Sequence, residues 1–199
     1  GDHTRPPNSE LTPKEPDSPY AVSKLSVEHY LAYYARIHGV ETVSLRFANV
    51  YGPRQDPHGE AGVVAIFCSR LLDGAPLTVF GDGLQTRDYV YVTDVADAIR
   101  RALHVRLDGA PRIDARAFNI GTGVATSVLE LASALRGASK IDTPIEFAPR
   151  RSGEQQDSFV SIDKARTELG WSPRVALDEG LDDTFAWFAA RARSAFTTS

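Results

Sequence analysis

Residues 18–39 carry the signals of one helix with both ends marked, and a strand pattern follows directly. Ser18 is a strong N-cap because its hydroxyl can accept from a first-turn N–H. Pro19 suits the first helical position, and Gly39 tolerates the left-handed conformation that ends a helix. Val22, Leu25, Leu31, Tyr34 and Ile37 form the stripe a helix lays on a sheet, which predicts a helix to about Ile37. Thr42-Val-Ser-Leu-Arg-Phe47 then alternates at period two and opens into a loop, residues 49–60, rich in Gly, Pro and Asp. A capped helix feeding such a strand points to a layered α/β fold, whose ligands bind where strands run out into loops.

The rest of the chain keeps this alternation. Residues 1–17, with Pro6, Pro7, Pro13 and Pro16, read as a loop, and residues 62–74 as a helix ending at a glycine. Residues 77–80 read as a strand turned by Gly81-Asp-Gly83, so that residues 87–92 pair back on it. Thr93 is the expected N-cap of the next helix, and residues 117–120 a short parallel strand before Gly121-Thr-Gly123. Ser127-Val-Leu-Glu130 is a capping box whose helix turns Val128, Leu131 and Leu135 to a core. A strand at 145–147, a short helix stopped by Gly170 and Pro173, and a terminal helix from about Leu177 to Ala192 complete the reading, with residues 197–199 fraying.

The first helix also carries the chemistry. Tyr20 and Lys24 stand four residues apart on one helical face, where the ammonium and the positive end of the helix dipole both favour a phenolate. A phenol so placed can take or give a proton. The same spacing also arises by chance as a solvated lysine beside a half-buried tyrosine, so the surrounding motifs decide. A net charge of -4 without a basic run argues against a nucleic-acid partner. No apolar run approaches the ~20 residues that span a bilayer, and the N-terminus shows no signal region, so no membrane partner and a cytoplasmic location are expected. Cys68 is the single cysteine, read as a buried structural thiol in a reducing compartment. No metal site is expected. The sequence has no methionine and no Gly-x-Gly-x-x-Gly stretch, so a part of the protein upstream of Gly1 is expected.

Five motifs follow one another in a fixed order: Ser18-Pro-Tyr-x-x-Ser-Lys-x-x-x-Glu28, Arg46-Phe-Ala-Asn-Val-Tyr-Gly-Pro-Arg54, Gln85-Thr-Arg-Asp-Tyr89, the loop Arg150-Arg-Ser-Gly-Glu-Gln-Gln-Asp157, and Asp163-Lys-Ala-Arg-Thr-Glu-Leu-Gly-Trp-Ser-Pro173. Together they resemble the extended short-chain dehydrogenase/reductase family, the NAD-dependent epimerases and dehydratases. Within it, residues 56–67 and 85–89 look most like the UDP-glucose (UDP-galactose) 4-epimerases. The resemblance implies an α/β fold comprising the C-terminal part of a Rossmann-type doubly wound sheet and a smaller α/β nucleotide-sugar-binding domain. Residues 1–60 would end the Rossmann domain and carry the Tyr-x-x-x-Lys helix. Residues 61–199 would be mainly substrate-binding, with about 93–122 returning to the Rossmann domain. It further implies Tyr20 as catalytic acid/base and Lys24 as its partner, with Tyr20, Lys24 and the backbone near Phe47 on the NAD cofactor. Asn49, Arg87 and Arg151 would hold the diphosphate of a UDP-sugar. Val63, Val64, Thr78 and Phe80 would surround its base, with core packing the equal alternative, and Glu154 would accept from the ribose. Ser158 would wall the sugar's C2 side, where a small residue admits an N-acetyl group. The implied activity is NAD-dependent C4 epimerisation of a UDP-hexose by a full-length homodimer. A dehydratase, decarboxylase or uronate epimerase, or a non-catalytic sugar-nucleotide-binding module, stays open.

Overall fold

In the computed structural model, which describes residues 5–58, 62–107, 112–151, 153 and 155–197, helix α1 (Pro19–His38) has the ends its sequence marks. Ser18 Oγ accepts from the Ala21 N–H at 3.1 Å, and Gly39 closes the helix at φ 65°. Its buried face is not the expected stripe. Val22, Tyr34 and Ile37 are exposed, while Ala32 is buried and Leu25, Glu28 and Leu31 are half-buried. Leu25 and Leu31 of the expected stripe share the packed face with a small side chain and a charged one, neither of which registers in apolar periodicity.

Four short sheets order the rest. Strand β1 (Ser44–Phe47) runs parallel to β6 (Ala117–Ile120), and β2 (Asn49–Tyr51) runs parallel to β5 (Tyr89–Tyr91). Strand β3 (Leu77–Phe80) pairs in parallel with β8 (Ile145–Ala148). Strand β4 (Thr86–Arg87) lies between β7 (Thr126–Ser127), antiparallel, and β9 (Asp157–Ser158), parallel, which sets Arg87 beside Ser158. The hairpin expected after β3 therefore does not form. Gly81 and Gly83 turn at φ 68° and 75°, but an added Cβ at Gly83 would lie 2.6 Å from Leu129 and 2.8 Å from Val79. The turn is pressed onto the core and sends the chain away from β3, whose buried Leu77 and Val79 favour a covered parallel ladder.

Two apolar clusters hold these pieces. Helices α2 (Val63–Leu72) and α4 (Val128–Ser139) pack on β3, and α6 (Leu177–Thr197) packs on those two helices, with Phe67, Leu71, Leu131, Leu135 and Leu181 fully enclosed. Ser127 and Glu130 form the capping box read from the sequence. The second cluster joins α3 (Val92–Ala102), β6 and α5 (Asp163–Glu168) through Phe118, Ile120, Ile162 and Trp171. Helix α3 starts at Val92 without a side-chain cap, not at an N-cap Thr93. Its first acid, Asp94, is committed elsewhere: the carboxylate accepts from the Arg174 and Val175 N–H groups at 3.0 and 3.1 Å, and its carbonyl from Trp171 Nε1 at 2.9 Å. No helix among the described residues is long and apolar enough to cross a membrane.

Cys68 faces the first cluster from α2, and burial pushes its thiol up to about 12. Because the thiolate is the reactive species, native protein is expected to leave an aromatic disulfide reagent unconsumed, with one equivalent released only in denaturant.

Candidate active site

A cavity of 370 Å³ opens between α2, β3 and β4, and Asn49, Val63, Thr78, Phe80, Arg87 and Arg151 all line it. Alternation brings Thr78 and Phe80 to one face of β3 while Leu77 and Val79 enter the core. On α2, Val63, Ile66 and Arg70 recur along the face toward the cavity. Val64 does not join them. At 1% exposure its side chain lies in the core, because adjacent helix positions point about 100° apart.

The cavity has a charged end and a flat apolar wall. Arg87 Nη1 donates to the Thr86 carbonyl at 2.7 Å and to the Gln155 carbonyl at 2.9 Å, tying β4 to the loop before β9. The Arg151 guanidinium lies 3.9 Å from the centre of the Phe80 ring, a cation–π geometry. Ser158, partly buried, stands opposite Arg87 in the β4–β9 register. Glu154 lies outside the described residues.

Tyr20, Lys24 and Phe47 do not line that cavity. Tyr20 is 66% exposed, and Lys24 Nζ sits 5.2 Å from the centre of its ring. Lys24 faces an open hollow of 740 Å³ shared with Ser18, Gly153 and Gln155. Phe47 ends β1 and is exposed. Arg151 lines the first cavity, while Gly153 and Gln155 line the second.

Sequence reasoning overlooked several supports. Gln85, 5% exposed, donates from Nε2 to the Phe80 carbonyl at 2.9 Å and fixes the end of β3. Asp88, at 1% exposure, accepts from Thr122 N and Oγ1, both at 2.7 Å, and from Gly123 N at 3.0 Å. It locks β4 to the 121–123 turn, and a Cβ at Gly121 would come 2.5 Å from that carboxylate. A polar run inside a strand that must be buried was the available signal. Arg70, on the cavity wall, carried none.

With the geometry in view, known proteins can be set beside it. Residues 1–121 match the NAD dependent epimerase/dehydratase family. The chain belongs to that family. It is 48% identical over 182 residues to a UDP-glucose 4-epimerase of Mycolicibacterium smegmatis, covering 92% of this chain and 56% of that protein. Among solved structures it is similar to the Thermotoga maritima UDP-glucose 4-epimerase with UDP-glucose. That match has a TM-score of 0.90 and 42% identity, over 96% of this chain and 60% of the other. It is also similar to the Thermus thermophilus UDP-glucose 4-epimerase complex with NAD, at TM-score 0.81 and 44% identity over 92% and 58% of the two chains. The chain therefore spans a little over half the length of these relatives. For this epimerase/dehydratase family member, the Rossmann-type α/β class read from the sequence agrees with both solved neighbours.

Proposed function

We propose that the full-length protein interconverts UDP-glucose and UDP-galactose at C4, using NAD. The observations that carry the reading are the exposed Tyr20–Lys24 pair, with Lys24 on an open hollow shared with Gly153 and Gln155, and the arginine-bearing, aromatic-walled cavity that Arg151 lines. Phe80 and Thr78 suit a flat base, and Arg87 and Arg151 offer the planar, permanently charged donors that a diphosphate needs. Tyr20, Lys24 and Phe47 suit the nicotinamide end of the cofactor: Tyr20 and Lys24 share one helix face, Lys24 lines an open hollow, and Phe47 stands at the carboxyl end of β1. The sequence holds no glycine-rich turn for the pyrophosphate, so these residues account for that end alone.

NAD held there would supply hydride acceptance and return at C4. Tyr20 takes the C4 hydroxyl proton as that carbon is oxidised and gives a proton back as it is reduced from the other face. Lys24 supplies the charge beside the phenol and would hold the cofactor's ribose. Between the two transfers the sugar must turn, so it is held through its nucleotide, which places the binding groups away from the reacting carbon.

The test is nuclear magnetic resonance of UDP-galactose with full-length protein and NAD. UDP-glucose is the expected product. A 4-keto-6-deoxy sugar would make the protein a dehydratase, and binding without turnover would make it a sugar-nucleotide-binding module. Substrate range adds a prediction. Ser158 is small and stands beside Arg87, so the full-length enzyme is expected to turn over UDP-N-acetylglucosamine. Ser158→Tyr should cut that turnover by at least ~10-fold relative to UDP-glucose, since bulk in a fitted pocket discriminates by about that much.

A further inference from the structure

Among the described residues, apolar packing on α1 is slight. Ala32 is its only buried residue, and Val22, Tyr30, Tyr34 and Ile37 are 48–66% exposed. Its firm attachment to the sheet is a forked ion pair between Glu28 and Arg46 of β1. Arg46 Nε donates to Glu28 Oε1 at 2.8 Å and Nη2 to Oε2 at 2.5 Å, with the two side chains 21% and 15% exposed. The other donors of Arg46 are engaged as well: Nη1 reaches the Glu10 carbonyl at 3.1 Å, and Nη2 reaches Asp114 Oδ1 at 3.4 Å. Burial opposes the charge on Arg46, but Glu28 and Asp114 outweigh it and raise its pKa. Asp114 is paired with Lys14 too. Burial works against its carboxylate, yet Lys14 and Arg46 hold it below the usual range.

Tyr20, Lys24 and Glu28 follow at four-residue steps, so they share one face of α1 with a drift of only ~40° per step. A bond that fixes the direction of Glu28 therefore fixes where Tyr20 and Lys24 point. A rotation of ~20° carries a side-chain tip ~5 Å from the axis through about 2 Å. Misplacement by ~1 Å can cost about 10²-fold in rate. Arg46 also immediately precedes Phe47, so the pair ties the Tyr–Lys helix to the strand that ends at the site.

We propose that Glu28 and Arg46 are positioning residues whose forked pair sets the rotation of α1 and so aims Tyr20 and Lys24. The inference rests on the C4 epimerisation proposed above. Its test compares full-length wild type with Arg46→Lys, Glu28→Gln and the double variant. Arg46→Lys keeps the charge but loses the fork. Each single variant is expected to lose ~10- to 100-fold in kcat, while KM for UDP-galactose stays within about twofold because neither Glu28 nor Arg46 lines the nucleotide cavity. The double variant should lose no more than either single one, as members of one unit do.

A kcat within twofold of wild type in Arg46→Lys overturns the proposal. So does a loss of kcat fully accounted for by the fraction of unfolded protein at the assay temperature, the mark of a merely structural pair. Residual dipolar couplings of the α1 amides read the helix's rotation without any reaction. They are expected to change in Arg46→Lys, and unchanged couplings overturn the proposal even if wild type proves inactive. Inactive wild type with altered couplings would instead overturn the epimerase reading and leave the pair's role standing.

Discussion

Tyr20→Phe in the full-length protein is expected to lower kcat for UDP-galactose epimerisation by ~10²- to 10⁴-fold, the range general acid–base groups contribute. The substitution removes one oxygen and nothing else. The ring is kept, with Lys24 Nζ 5.2 Å from its centre, so its packing is kept too. Stability should change by no more than ~1.5 kcal/mol, the net worth of one hydrogen bond. UDP affinity should be unaffected, because the cavity that holds Arg87 and Arg151 does not include Tyr20. Initial rates by product analysis and UDP binding by calorimetry separate these quantities. A rate within tenfold of wild type would remove Tyr20 from the chemistry and favour the binding-module reading.

What could be read from the sequence was what is local along the chain. Ser18 and Gly39 bound α1, Ser127 and Glu130 box the start of α4, and Gly170 stops α5 at φ 59°, each because a cap depends on residues a few positions apart. The spacing of Tyr20 and Lys24 and the placement of Arg87 and Arg151 were legible through the order of the motifs. Pairing was not, since the partner of β3 lies more than sixty residues away at β8 and a turn-like Gly81-Asp-Gly83 says nothing of it. Neither was the whole packed face of α1, where Ala32 and the Glu28–Arg46 pair join Leu25 and Leu31 in the contact and the aromatic residues do not. Val63 and Val64 look alike in sequence, but neighbouring helix positions diverge, so one lines the cavity and the other packs in the core.

The two cavity arginines should prove unequal, and the reason lies in what each holds before a ligand arrives. Arg87 is anchored by two carbonyl contacts, at 2.7 and 2.9 Å, on a strand flanked on both sides. Hydrogen bonds to a charged group are worth about 1.5–3 kcal/mol. Arg87→Met is therefore expected to weaken UDP binding by ~10- to 100-fold, at ~1.4 kcal/mol per tenfold. Arg87→Lys should not restore it, because an ammonium cannot present a fork to two oxygens. Arg151 instead stacks on Phe80 at 3.9 Å, on the ring face where the base would lie. To reach the diphosphate it must leave a contact worth ~0.5–1 kcal/mol at an exposed site, so Arg151→Met should weaken UDP binding less than Arg87→Met does. Uridine, which lacks phosphate, tells the two apart. Calorimetry should show its binding unchanged in Arg87→Met and unchanged or tighter in Arg151→Met, where nothing competes for the ring. Equal losses of uridine and UDP in both variants would place the base elsewhere and remove Phe80 from its recognition.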